Sequence, residues 1–193
     1  IDATGKFVLP GLINAHAHLQ RGRAGYPQPY EYTLKLWLAS GITTFREVGS
    51  DSVSGLLSLR AAERAGTAMS PGSARTPAQA RERVRAAKAQ GADGLKLAGL
   101  DRDILMAILD EAKQQGLRVA HHVGVEETTA WDDIAGGTTT IEHWYGIPDA
   151  AIRSKRQNFP SDYNYNDETD RFRWAGRLWR EADPALLDSV LKS

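Results

Sequence analysis

Phe7-Val8-Leu9-Pro10-Gly11-Leu12-Ile13-Asn14-Ala15-His16-Ala17-His18 is an apolar run closed by two histidines with one residue between them. Side chains alternate faces along a β-strand, so His16 and His18 point the same way there and their imidazoles can reach one metal ion. On a helix they would stand about 200° apart, at roughly 100° per residue. The spacing predicts a strand that carries a ligand pair at its end. Two polar residues at an ordinary strand end would look the same, so the weight of the pair depends on the other histidines.

Composition narrows the classes around that strand. The 193 residues suffice for one sizeable core or for part of a larger domain, and the start at Ile1 reads as a fragment or a processed chain. A leader peptide can therefore be neither read nor excluded, which leaves cytoplasmic and exported locations open. Lys plus Arg and Asp plus Glu balance at 24 each, which gives no sign of a nucleic-acid or anionic-membrane partner. There is no cysteine, so disulfides and thiolate ligands are excluded, and any metal must be held by His, Asp, Glu or a modified Lys. No apolar run approaches the roughly 20 residues of a membrane span.

Strands and helices alternate outward from the opening strand. Gln20 to Pro29 reads as a surface loop, Tyr32 to Ser40 as a helix with Leu34, Trp37 and Leu38 on one face, and Ile42 to Val48 as a β-branched strand. Ser54 to Ala65 reads as a helix stopped by Gly66. Thr76 as N-cap and Pro77 at the first position open another over Ala78 to Gln90. Two helices joined without a strand break the alternation, so a strand and its loops are expected to be missing near 69–75. Three strands follow glycine stops, at Gly94 to Ala98, Leu117 to Val123 and Thr138 to His143, with helices at Asp103 to Gln115 and about Glu126 to Ala135 between them. Repeats of this kind imply parallel strands with right-handed crossovers, an α/β fold whose leading architecture is a (β/α) barrel. Only strands 1, 2, 4, 5 and 6 are represented, too few to close it. The domain reading is a partial barrel over 1–146. A lid-like loop and short helices at Arg171 to Arg180 and Pro184 to Leu191 then fill 147–193, with Asp183 as a cap.

All five histidines, His16, His18, His121, His122 and His143, fall at the C-terminal ends of predicted strands. That is the end at which a parallel barrel assembles its active site. Scattered core or surface histidines have no reason to obey such a rule.

The opening stretch resembles the first barrel strand of the metal-dependent amidohydrolase superfamily, especially its imidazolonepropionase-like and prolidase-like members. Gly41-Ile42-Thr43-Thr44-Phe45-Arg46, Gly91-Ala92-Asp93-Gly94-Leu95-Lys96 and Ile141-Glu142-His143 match its strands two, four and six, and the resemblance runs from Ile1 to about Gly146. It implies a TIM-like (β/α)8 barrel and a binuclear metal-dependent hydrolase that cleaves an amide or peptide-like C–N bond with a metal-bridged hydroxide. His16 and His18 would bind the first of two divalent ions, zinc being expected. One strand-five histidine and His143 would bind the second, and Lys96, carboxylated by carbon dioxide, would bridge them. Carboxylation requires the neutral amine, which desolvation and neighbouring cations favour.

Strand alternation sends His121 and His122 to opposite faces. His122, 21 residues before His143, fits the spacing of similar relatives better than His121 at 22, which stays as the alternative. Tyr145 is a candidate catalytic residue that could reach a substrate carbonyl, against plain aromatic packing with Trp144. Arg46 could hold a substrate carboxylate, against pairing with Glu47 or Asp51. The sixth ligand of the superfamily, an aspartate on strand eight that takes the proton of the attacking water, is expected beyond Ser193. A small-molecule or dipeptide-like substrate follows, with a homo-oligomer left open. The competing readings are a single-metal deaminase or decarboxylase on the same barrel, against which Lys96 argues, and a non-catalytic scaffold.

Overall fold

The computed structural model describes residues 2–23, 25–49, 55, 68–69, 74–123, 128–153 and 168–193. The chain divides into two compact units, Ile1–Met69 and Ser70–Ser193. Among the described residues no helix is long and apolar enough to cross a membrane.

In the first unit β1 (Leu12–Ala17) lies parallel to β4 (Ile42–Glu47), joined through a small antiparallel ladder of β2 (Gly22–Arg23) and β3 (Tyr26–Pro27) and helix α1 (Tyr30–Ala39). The ladder lies within the stretch expected to be a plain loop. β1 starts five residues later than the apolar run predicts, because its first partner is Ile42, opposite Leu12. Phe7, with no strand beside it, is 98% exposed. Leu19 and Tyr30 form the buried nucleus, with Leu34, Trp37 and Phe45 packed against it. Leu38, expected on the same helix face, is 64% exposed instead. Gly41, at φ +83°, ends α1 in the left-handed conformation that glycine adopts without a Cβ clash, and its carbonyl accepts the Leu12 N–H at 2.8 Å.

β5 (Ala68–Met69) falls just before the expected missing segment, most of which, 70–73, lies outside the described residues. So does the helix expected over Ser54 to Ala65, apart from the helical Gly55.

The second unit is a parallel sheet with helices. β6 (Gly94–Leu97), β7 (Arg118–His121) and β8 (Thr140–Ile141) run side by side in that order. The β8 ladder is lengthened by the Thr139 N–H on the Val119 carbonyl and the Glu142 N–H on the His121 carbonyl, each 2.9 Å. Helix α2 (Pro77–Ala89) begins where predicted, with the Thr76 hydroxyl accepting the Gln79 N–H at 3.2 Å. It buries Ala80, Val84 and Ala87 against α3 (Arg102–Gln114), which buries Ile104, Leu105, Ile108, Leu109 and Ala112. Helix α4 (Ala130–Gly136) follows β7.

After β8 come the one-turn helix α5 (Ile147–Ala150), then α6 (Glu168–Glu181) and α7 (Pro184–Lys192). Leu178 of α6 is buried against Trp144 and Ile152, so this part of the tail braces the turn after β8. Asp183 caps α7, as expected, by accepting the Ala185 and Leu186 N–H groups at 3.0 Å, and Arg153 donates to its other oxygen at 2.6 Å. Tyr163, Tyr165 and the side chains of Phe172 and Trp174 lie outside the described residues.

Candidate metal centre

His16 and His18 meet. Nε2 of His16 and Nε2 of His18 are 3.3 Å apart, with the rings edge-on at 70°. Two nitrogens bound to one tetrahedral zinc at about 2.0–2.1 Å stand roughly 3.3–3.4 Å apart, so the pair already has the separation that a shared ion requires. Nδ1 of His18 lies 3.1 Å from the Gly49 carbonyl oxygen. A carbonyl can only accept, so Nδ1 carries the proton and the Nε2 lone pair is left for a ligand.

Beneath this pair sits Glu47, the last residue of β4, only 1% exposed. Its carboxylate accepts the Leu19 N–H at 2.6 Å on one oxygen and the Gly49 N–H at 2.7 Å on the other. Burial pushes its pKa up, while those two N–H groups and the neighbouring His18 pull against that rise. The sequence suggested Glu47 as a partner for Arg46; instead Arg46 donates from Nε to the Ala15 carbonyl at 2.7 Å. Asp51, the other suggested partner, lies outside the described residues.

The second unit holds a second cluster. His122 and His143 have their rings 4.9 Å apart and edge-on, and Tyr145 stacks on His122 at 4.6 Å and 19°. Tyr145 also packs on Trp144 at 4.2 Å, the aromatic contact that the sequence offered as the alternative to a substrate contact. Alternation continued past β8 would carry Glu142 to the side of Thr140, whose hydroxyl indeed donates to the Glu142 carboxylate at 3.2 Å, and His143 to the other. His143 escapes that rule. Its φ of 63° makes it the one non-glycine residue in the left-handed region among the described residues, and the turn it makes brings its ring to His122. Backbone strain of this kind, about 1–3 kcal/mol, persists where the surroundings enforce it.

His121 points elsewhere. It is fully buried, and its Nδ1 donates to both oxygens of Asp133 on α4 at 2.9 and 3.0 Å. Asp133 also accepts the Thr138 hydroxyl at 2.5 Å, so one carboxylate ties β7 to the entry of β8. Lys96 lies half-buried in β6 opposite Ala120, and its Nζ donates to the Leu97 carbonyl at 3.3 Å.

A glycine lets the turn after this second cluster pack closely. A Cβ on Gly146 would run into the Val123 side chain and come within 3.3 Å of the Ala130 nitrogen, while the Gly146 carbonyl accepts the Ala130 N–H at 3.0 Å. The turn after His143 therefore lies directly on the segment that follows His122.

Sequence reasoning named the histidines but missed Glu47, Gly49 and Asp133 as their supports. Glu47 and Gly49 act on backbone groups, which leave no spacing signature; Asp133 follows His121 by 12 residues across a strand-to-helix connection. Each unit gathers a histidine pair, and among the described residues no group of three or more His, Asp or Glu side chains converges as a metal site. In comparison with known proteins, the sequence model of the Amidohydrolase family matches residues 7–151. No curated protein matches the chain.

Proposed function

The chain belongs to the amidohydrolase family, and from that premise we propose that it hydrolyses an amide or peptide-like C–N bond in a small or dipeptide-like substrate, as the imidazolonepropionase-like and prolidase-like members do. The family implies a metal-dependent hydrolase on a TIM barrel, and the parallel strands and helices, with no closed barrel among the described residues, are compatible with part of one. The observation that carries the proposal is the Nε2 pair of His16 and His18, 3.3 Å apart, with His18 aimed by the Gly49 carbonyl.

In this reading His16 and His18 would hold one divalent ion, zinc in the first instance, and His122 and His143 would hold a second. Lys96, as its carbamate, would be a further metal ligand. The choice of His122 over His121 is supported by the ring contact of His122 with His143. Bound divalent ions lower the pKa of water from 15.7 toward roughly 7 and polarise a carbonyl, which supplies a nucleophile at neutral pH. Tyr145, stacked on His122, offers its hydroxyl to the substrate carbonyl.

Metal analysis of the full-length protein tests this. About two ions per chain supports the hydrolase; one favours the deaminase or decarboxylase reading, and none the scaffold. The His16→Ala/His18→Ala double variant is expected to lose the ion held by that pair, and unchanged stoichiometry would overturn the assignment.

A further inference from the structure

We propose that Glu47 is a positioning residue for the first histidine pair: it fixes His18 through the backbone on one side and through the ring on the other. The inference rests on the metal-site reading above for its purpose, but its geometry stands by itself. One carboxylate oxygen accepts the N–H of Leu19, the residue directly after His18, at 2.6 Å. The other accepts the N–H of Gly49 at 2.7 Å, and the carbonyl of Gly49 takes the Nδ1 proton of His18 at 3.1 Å. These bonds and the His18–Leu19 peptide close a ring of contacts in which the position of the main chain and the direction of the imidazole are set by one buried carboxylate.

The arrangement explains why an acid is buried there. Burial of a carboxylate without compensation is costly, and two short backbone N–H bonds offset the lost hydration. An amide cannot replace it, because one of its two ends is itself a donor and would face an N–H. Glu47→Gln therefore breaks one arm of the ring while leaving the volume of the side chain unchanged. The role given to Glu47 is that of an outer support which keeps a ligand's ring turned and its tautomer chosen, and loss of such supports weakens metal binding about 10–100-fold.

Zn2+ alone, titrated into the chelator-treated full-length protein, is expected to bind Glu47→Gln about 10–100-fold more weakly than wild type at the site that the His16→Ala/His18→Ala variant removes. Long-range 1H–15N correlation spectra of the metal-free protein, at a pH where imidazole is neutral, should show His18 protonated on Nδ1 in wild type. In Glu47→Gln they should show it mixed between Nδ1 and Nε2. A role in stability alone would leave the tautomer unchanged. Unaltered Zn2+ affinity together with an unaltered tautomer would overturn the proposal while the metal reading stood. If wild type bound no Zn2+, the metal reading would fall, and the tautomer would still decide whether Glu47 aims His18. Should the variant not fold, hydrogen exchange in wild type decides: the Leu19 and Gly49 amides are expected to be strongly protected, and exchange at the rate of open loop amides would refute the ring of contacts.

Discussion

His16 and His18 meet because they stand two residues apart at the end of β1, His16 within it and His18 just past it, whereas His122 and His143 meet because two strands end near each other and the second turns through a left-handed residue. The same kind of side-chain pair is thus built by two routes. The first needs only the period of a strand and a carbonyl to aim one ring. The second needs a sheet register, a strained backbone at His143 and a glycine thin enough to let the turn approach. Their surroundings differ as well. The second unit has an interior of Leu95, Leu97, Leu105, Ile108 and Val119, while β1 in the first unit leaves Leu12 and Ile13 largely exposed. The Thr76 and Asp183 side chains cap α2 and α7 in the second unit, whereas α1 begins at Pro29 with no side-chain cap.

The sharpest way to break that comparison is by core truncation. Ile108→Ala should destabilise the chain by about 2–5 kcal/mol in urea unfolding, as buried large-to-small changes do. Ile13→Ala, at a side chain 71% exposed, should stay within about 0.5 kcal/mol. Equal losses at the two positions would mean that β1 is covered in solution.

A smaller effect separates the two routes to a histidine pair. Because His143 sits at φ 63°, His143→Val should cost about 1–2 kcal/mol more than His143→Asn in the metal-free protein. The β-branched residue resists that conformation, and Asn tolerates it. The same two substitutions at His16, which lies within β1, should not separate in that order, since strands favour Val. Matched denaturation curves for the four variants check both halves of the statement.

The smallest expected effect is acid sensitivity of the capped unit. The Arg153 guanidinium and the α7 N–H groups hold the Asp183 carboxyl at about 2, against an ordinary 3.8. A depressed folded-state pKa contributes stability that is present above 3.8 and lost as pH falls through that value toward about 2. The melting temperature of wild type should therefore decline more steeply over that window than that of Asp183→Asn. Identical pH slopes would remove the cap from the account.

What could be read in the sequence follows the same division. Gly41, Gly91 and Gly116 all take positive φ just after helices, so at those three helices the glycine stop was legible. The strand-borne pair at His16 and His18 was legible because alternation is a local rule. The shortening of β1 to begin at Leu12 was not, because a strand begins where a partner does, and Ile42 is thirty residues away. The pairing of His121 with Asp133 was equally hidden: two adjacent histidines look alike until a helix places a carboxylate on one side of the strand. Glu47 read as an ion-pair partner because sequence shows side chains, and what it holds is main chain.

Gly146 bears on how such a site can vary. Its missing Cβ works as a gauge: the turn that carries His143 and Tyr145 approaches the segment after His122 so closely that a Cβ on Gly146 would run into the Val123 side chain. A single methyl group there would force Val123 or the turn to shift without touching either histidine. The approach of the turn after β8 to the segment after β7 thus depends on an atom that is absent.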